Sequence, residues 1–384
     1  MNRREQSNRT LVVGTAPPTR CGLATYTMNV QQALVTNGID ARILRLLNRA
    51  EPSRPAPDDV VATWRDGEPD GAIHAAEVAN GFDRVLVQHE YGIYPGEEGC
   101  SIIEFLEHLE RPPVTVLHTV LEELNPLQRE VLDALVSNSS SIVVHGTTAR
   151  TRLLDAVAID PSRVAVIPHG ATIRKRHSGR FEEARPLMLT WGLIGPGKGL
   201  EHGIAAVAQL RDMGIEVEYL IAGSTHPNVR NHSGEQYRRS LEELAERRGV
   251  ADLVRFDNRY CTWREQQEWI DVASFVLLPY DNPDQVTSGV LVEAMAAGKP
   301  VIATAFAHAR ELESTGALIV VDQGSSTQIA AAMHELATDL ELRGRMETAA
   351  RIEGMRCDWG VVGHRYAELL HASEQFVIAT GVHR

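Results

Sequence analysis

No stretch of this 384-residue chain approaches the roughly twenty consecutive apolar residues that a membrane-spanning helix needs. The first ten residues, Met-Asn-Arg-Arg-Glu-Gln-Ser-Asn-Arg-Thr, lack the apolar core of a secretory signal, so none is expected. Cysteine is scarce. Cys21, Cys100, Cys261 and Cys357 lie far apart with no Cys-x-x-Cys pair, which argues against a disulfide framework or a structural zinc site and predicts a reduced, cytoplasmic protein. Basic charge is in deficit, with 38 Lys and Arg against 51 Asp and Glu and a net charge of −13. That balance argues against a nucleic-acid surface. The basic, apolar stretch Ala41–Ala50 (Ala-Arg-Ile-Leu-Arg-Leu-Leu-Asn-Arg-Ala) runs against this balance. It reads as a strand with solvated arginines, with weak peripheral membrane contact at the inner face as the alternative.

What is present is ordinary globular material, 43% hydrophobic and 23% charged, in a chain long enough for two domains. Short β-rich runs at 11–13, 42–46, 85–87, 114–117, 142–144 and 164–167 alternate with helical stretches such as Thr25–Val35 and Gln128–Val136. Alternation of this kind predicts βαβ units around a parallel sheet. Thr172–Pro186 is polar and aperiodic and reads as a linker. Beyond it the alternation restarts at 188–193, 217–222, 254–256, 275–278, 301–303 and 318–320. The expectation is two consecutive Rossmann-like halves, with ligands at the carboxyl ends of the strands.

The most informative segment is Pro279–Ala294, Pro-Tyr-Asp-Asn-Pro-Asp-Gln-Val-Thr-Ser-Gly-Val-Leu-Val-Glu-Ala. A buried-strand pattern ends in a polar loop, and a helix opens near Thr287, Ser288, Gly289 and Val290. The unpaired amides of such a helix start form a ready anion site. Glu293 lies one turn further in, placed to accept hydrogen bonds from hydroxyls beside that anion. Phosphate next to a polyol is the chemistry of a nucleotide sugar. A second glycine-rich run, Gly192-Leu-Ile-Gly-Pro-Gly-Lys-Gly199, nearly spells a P-loop. Gly199 stands where the Mg²⁺-binding Ser or Thr belongs, which argues against an NTPase. His89-Glu90-Tyr-Gly-Ile lacks the second histidine of a zinc-protease motif.

On Glu293-Ala-Met-Ala-Ala-Gly-Lys-Pro-Val-Ile-Ala303 the chain resembles glycosyltransferase family 4, the retaining GT-B glycosyltransferases (glycosyl transferases group 1). The resemblance implies an α/β GT-B fold, two Rossmann-like domains with parallel sheets facing a central cleft. Residues 1–175 are then the acceptor-side domain, 187–357 the donor domain, and 358–384 a helix crossing back to the first. It implies that Lys198 and the helix start at Ser288–Val290 hold the donor diphosphate, with Thr287 a further donor contact, and that Glu293 holds the ribose. Two family features are replaced: Gln285 stands where the first glutamate belongs, near the transferred sugar, and Leu193 where an arginine is usual. The family's opening loop matches Gly14–Tyr26, which places Gly22 beside the sugar and offers Arg20 and Tyr26 as acceptor contacts. His118, at a strand end, matches the histidine thought to hydrogen-bond the donor sugar; with Gln285 it forms the expected catalytic pair. His89 and Glu90 are further acceptor candidates, Arg259 and Tyr260 candidates for the nucleobase and ribose, and His169 has a hinge role.

The activity implied is metal-independent retaining transfer of mannose or glucose from a GDP- or UDP-sugar to a sugar, lipid-linked or small-molecule hydroxyl. No cofactor is expected. A glycoside phosphorylase, a sugar-nucleotide epimerase on the same frame and a non-catalytic binding module are the alternatives. Oligomeric state, donor sugar and acceptor are not legible in the sequence.

Overall fold

The computed structural model describes residues 8–49, 51, 54–173, 185–261, 263–282 and 286–380. The chain divides into two compact units, Met1–Gly170 with Trp359–Arg384, and Ala171–Asp358. Most of the stretch read as a linker, 174–184, lies outside the described residues.

Unit 1 is a seven-stranded parallel sheet built from β1 (Arg9–Thr15), β2 (Asp40–Leu47), β3 (Val60–Arg65), β4 (Arg84–His89), β5 (Val114–Leu117), β6 (Ser141–Val144) and β7 (Val164–Val166). The strand order is β3-β2-β1-β4-β5-β6-β7. Leu11–Val13, Leu86–Val87 and Ile142–Val144 are fully or almost fully buried, as expected of parallel strands covered by helices on both faces. The order reverses direction between β1 and β4, the topological switch point beside which such sheets bind ligands. β3 is the one strand of this sheet that the sequence reading lacks. It is an edge strand whose exposure alternates along its length, so it shows no continuous apolar run.

The stretch read as basic and apolar forms most of β2, and Arg42 and Arg45 are held within the unit while Arg49, beyond the strand, is exposed. Arg42 bridges Asp40 at 3.1 Å and Asp59 at 3.2 Å, and Arg45 is buried with Nη2 donating to Thr63 Oγ1 at 3.2 Å. Among the described residues no helix is long and apolar enough to cross a membrane.

The last helix, Trp359–Thr380, packs on the first, Gly22–Thr36. Val362, Tyr366 and Leu370 join Val30 and Leu34 in one apolar cluster, at the spacing of one helix face. Inside it the hydroxyls of Tyr26 and Tyr366 meet at 2.9 Å.

Unit 2 repeats the plan with six parallel strands, β8 (Leu187–Trp191), β9 (Glu218–Ala222), β10 (Val254–Asp257), β11 (Phe275–Leu278), β12 (Val301–Thr304) and β13 (Leu318–Val321). Their order is β10-β9-β8-β11-β12-β13, with the switch point between β8 and β11. Two apolar layers cover the faces, one containing Tyr219, Phe275 and Leu277 and the other Leu189, Val276 and Leu278.

The seat of the last helix gives a direct test of unit 1. A Cβ on Gly170 would lie 2.5 Å from the ring of the partly buried Trp359, so the indole would have to shift. Gly170→Ala is expected to cost about 1–3 kcal/mol through overpacking, lowering the first melting transition by several degrees, whereas an unchanged melt would contradict this packing.

Candidate functional site

The site in unit 2 forms from the two loops that leave the switch-point strands, one after β8 and one after β11. Gly199 fixes their separation. It caps the helix Leu200–Asp212 with φ +61°, and a Cβ there would stand 1.9 Å from the carbonyl oxygen of Pro279. Only glycine tolerates both that conformation and that approach. The Ser or Thr of a P-loop is therefore excluded sterically as well as by sequence. Asp281 N donates to Gly197 O at 3.2 Å, a second tie between the loops.

These ties bring Lys198 to the end of β11. Its Nζ lies 4.2 Å from the centroid of the Tyr280 ring, a cation–π contact. The hydroxyl of the same Tyr280 meets Ser288 Oγ at 3.4 Å. Ser288 is the N-cap of the helix Gly289–Ala296, and its Oγ accepts from Leu291 N at 3.2 Å. One buried tyrosine thus sets a lysine ammonium beside a helix N-terminus. Of the four positions read as donor contacts at this helix start, Ser288 serves differently from expectation. Its N–H donates to His308 Nδ1 at 3.3 Å, so its amide is engaged inside the protein. The Gly289 and Val290 amides lie in the first turn, where no intrahelical acceptor exists. Thr287 precedes the cap and is half-buried.

Glu293 sits one turn into this helix. Its Oε2 accepts from Trp191 Nε1 at 3.3 Å and from Gln266 Nε2 at 2.6 Å. Those donors anchor one carboxylate oxygen and leave Oε1 for a ligand hydroxyl. Burial raises the Glu293 pKa, and the two hydrogen bonds oppose the rise. Arg259 is held by Asp257 at 2.7 Å and Glu265 at 3.2 Å, so the base or ribose contact expected of it would compete with two carboxylates. Tyr260 is exposed beside it. Gln285 lies outside the described residues.

In unit 1 the loops after β1 and β4 flank the other switch point. Gly22 opens the helix Gly22–Thr36, and a Cβ there would meet nothing within 4 Å. Arg20 is exposed just before it. Glu90 is held by the hydroxyl of Thr119 at 2.5 Å and the Tyr91 amide at 3.2 Å, and burial raises its pKa.

Two residues read as acceptor contacts belong to the core instead. Tyr26 is 2% exposed, with its hydroxyl on Tyr366 and its ring against His118, His169 and Trp359. His89 is 1% exposed, packed between Tyr91 and Tyr94, and burial lowers its pKa to about 3. His89 ends β4 with its side chain turned inward, and Tyr26 faces the core from the helix Gly22–Thr36.

His118 is half-buried in a histidine chain. His145 Nδ1 lies 3.0 Å from the Ile167 carbonyl, so it carries the hydrogen and His145 Nε2 accepts from His118 Nδ1 at 3.3 Å. His118 Nε2 is then an acceptor facing the Gln88 amide at 2.8 Å. With the Gln88 amide turned so that its nitrogen faces the ring, His118 and the otherwise unpaired Gln88 Nε2 are both satisfied. Burial and the neighbouring histidines hold His118 neutral. As placed, both ring nitrogens are engaged within unit 1.

Among the described residues, one group is spaced to hold a metal ion: Glu201, His202 and Asp281. His202 Nε2 lies 3.7 Å from Asp281 Oδ2, and Glu201 Oε2 accepts from the Tyr237 hydroxyl at 2.8 Å. Eighty residues of sequence separate its members, which is why no spacing motif announces it. Tyr280, Trp191, Gln266 and His308 are the other positions that pattern reading misses. Of these, only Tyr280 gave a signal, as an aromatic immediately after a buried strand and proline.

Residues 172–353 match the family model described as Glycosyl transferases group 1. A D-inositol 3-phosphate glycosyltransferase of Thermomonospora curvata is 24% identical over 266 residues, 65% of this chain and 60% of the relative. A 2-deoxystreptamine glucosyltransferase of Streptomyces kanamyceticus is 27% identical over 174 residues, 45% of this chain and 42% of the relative. The matched region thus spans less than two thirds of either relative's length. In fold, the chain matches an Anabaena protein, HepE, crystallised with UDP-glucose, at a TM-score of 0.76 and 16% identity, over 94% of this chain and 99% of that one. It also matches a sucrose-phosphate synthase of Thermosynechococcus elongatus at a TM-score of 0.77 and 16% identity, over 97% and 100%.

The Ser288–His308 bond makes the helix start sensitive to acid. Burial lowers the His308 pKa from 6.5 to about 4. Below pH 6.5 the unfolded chain therefore binds a proton that the folded chain refuses, and stability falls as pH falls. The loss reaches about 2 kcal/mol at pH 5. In His308→Asn, whose amide oxygen can replace Nδ1 as acceptor, that part of the acid destabilisation should vanish. Equal pH dependence of denaturation in the two proteins would remove His308 from this role.

Proposed function

We propose that this chain, which belongs over residues 172–353 to the glycosyl transferases group 1, transfers a hexose with retention from a nucleoside-diphosphate sugar to an acceptor hydroxyl. The observation that carries the proposal is the Tyr280 contact pair, Lys198 over its ring and the N-cap Ser288 at its hydroxyl. It gathers a cation and a helix N-terminus at the switch point of unit 2, the elements a diphosphate requires.

In this reading unit 2 binds the donor. Lys198 Nζ and the Gly289 and Val290 amides hold the diphosphate, where negative charge grows as the glycosidic bond breaks. These donors are fixed before the reaction by Gly199, Tyr280 and the Ser288 cap, so little reorganisation accompanies the charge. Glu293 takes a ribose hydroxyl on Oε1 while Trp191 and Gln266 hold Oε2. Arg259 and Tyr260 flank the nucleobase, and Gln285 binds hydroxyls of the sugar. Among the residues of unit 1, Gly22 and His118 are assigned to recognition of a sugar and Arg20 and Glu90 to recognition of the acceptor. His118 meets the sugar by exchanging its bond to Gln88. Structural neighbours crystallised with UDP and with UDP-glucose favour a uridine donor over a guanosine one. The acceptor is a polyhydroxylated small molecule or sugar, the class to which the named substrates of the two relatives belong.

Lys198→Ala should lose a charge-assisted contact worth about 1.5–3 kcal/mol in UDP affinity, and calorimetry showing unchanged UDP and GDP binding would overturn the assignment. Product made from UDP-glucose should keep the donor anomer by proton NMR, and an inverted product would refute retention. Turnover should persist in EDTA. If chelation abolishes it and Mn²⁺ restores it, metal independence fails and Glu201, His202 and Asp281 become the place to look. Gln285→Glu should keep activity within about tenfold, since a carboxylate also accepts from sugar hydroxyls, whereas a larger loss would show that the amide itself is needed.

A further inference from the structure

Unit 1 contains a cavity of about 240 Å³ that plays no part in the roles assigned above. It opens where β3 ends and where the loop after β4 turns into the helix Ser101–Glu107, at the same sheet edge as the Gly22 and Glu90 loops. Four carboxylates line it, Asp66, Glu68, Asp70 and Glu104, against one cation, Arg65. Arg65 is turned partly away, with Nη1 donating to Glu51 O at 3.1 Å, while Glu68 Oε2 accepts from the Arg65 amide at 3.3 Å. Asp66, Asp70 and Glu104 have no ion-pair partner among the described residues. Asp70 precedes the helix Gly71–Asn80, yet its carboxylate makes no capping bond there.

Acidic side chains at a surface are common, and the independent sign of a ligand is Trp64. This residue lines the cavity but is only 3% exposed. Its ring is stacked on Phe105 at 5.6 Å, which covers one face, and makes an edge contact with Tyr94 at 5.7 Å. Its indole N–H has no acceptor among the described residues. Nor is the nitrogen sealed by protein. Gly71 stands over it, and a Cβ on Gly71 would come within 3.0 Å of Trp64 Nε1. A glycine keeps the approach to this fixed donor open, and the N–H, without an acceptor in the protein, is left for the oxygen of a ligand or water.

We infer that this cavity binds a cationic amino polyol, a sugar or cyclitol ring carrying at least one ammonium group, as the acceptor. Its role as acceptor subsite rests on the transferase reading proposed above; its ligand chemistry does not. The free carboxylates of Asp66, Asp70 and Glu104 take the ammonium. The indole N–H cannot take an ammonium, so it takes a hydroxyl oxygen of the same ring. A phosphorylated polyol is disfavoured by the same carboxylates.

The test is calorimetric titration of the full chain with a 1,3-diaminocyclitol, with neutral myo-inositol and with an inositol monophosphate. The diamine should bind at least about tenfold tighter than myo-inositol, and more weakly as salt is raised. The monophosphate should bind weakest of the three. In the double variant Asp66→Asn with Glu104→Gln the preference should collapse. In Gly71→Ala both the diamine and myo-inositol should weaken, because the added methyl covers the indole N–H. Equal affinity for the amine and the neutral polyol, no binding of either, or a preference that survives the double variant would overturn the inference. A turnover assay separates the two proposals. A bound diamine that no UDP- or GDP-sugar glycosylates sinks the transferase reading and leaves the ligand class standing. Transfer to neutral polyols without amine preference sinks the ligand class alone.

Discussion

The contact on which the donor side depends is the approach of Gly199 to the Pro279 carbonyl. It leaves no room for a side chain, so the loop after β8 and the loop after β11 must meet at one separation. Everything else on that side follows. Lys198 is carried over the Tyr280 ring, Tyr280 reaches the Ser288 cap, and the cap sets the direction in which the first amides of the helix Gly289–Ala296 point. An ammonium held in this way over an aromatic ring is positioned before any anion arrives.

The same strand order, reversing between the third and fourth strands of each sheet, recurs in both units, yet the two switch points are furnished differently. Unit 2 places a cation, glycine turns and a helix start there. Unit 1 places an open glycine at Gly22, a buried carboxyl at Glu90 and a chain of neutral histidines behind them. Anionic ligands suit the first set. Hydroxyl-rich, uncharged or cationic ligands suit the second, with the acidic cavity at β3 extending the same sheet edge. The two switch points thus differ in electrostatics on one repeated architecture.

Much of the architecture was legible because parallel strands are buried on both faces and announce themselves as apolar runs. β3 was not, since an edge strand with Val61 and Thr63 facing out carries no such run. The candidate site was legible where chemistry is local in sequence: a lysine in a glycine loop, and a glutamate one turn into a helix that opens with Ser-Gly. It was illegible where partners meet across the fold. Nothing near Glu293 in sequence points to Trp191 or Gln266, and nothing near Ser288 points to His308, twenty residues on. Burial was the other blind spot. His89 ends a strand and Tyr26 sits in the first turns of a helix, and neither position says whether the side chain faces a ligand or the core.

The most direct test of the central claim, that Lys198 and the Ser288-capped helix start form a diphosphate cradle, is a calorimetric series of uridine, UMP and UDP on the intact protein. The account predicts that most of the affinity enters with the β-phosphate. UDP should bind tighter than UMP by at least about tenfold, or 1.4 kcal/mol, and uridine weakest of all. Equal affinity for UDP and UMP would contradict it, because a cradle of one ammonium and two helix amides cannot be indifferent to the phosphate it is built to hold.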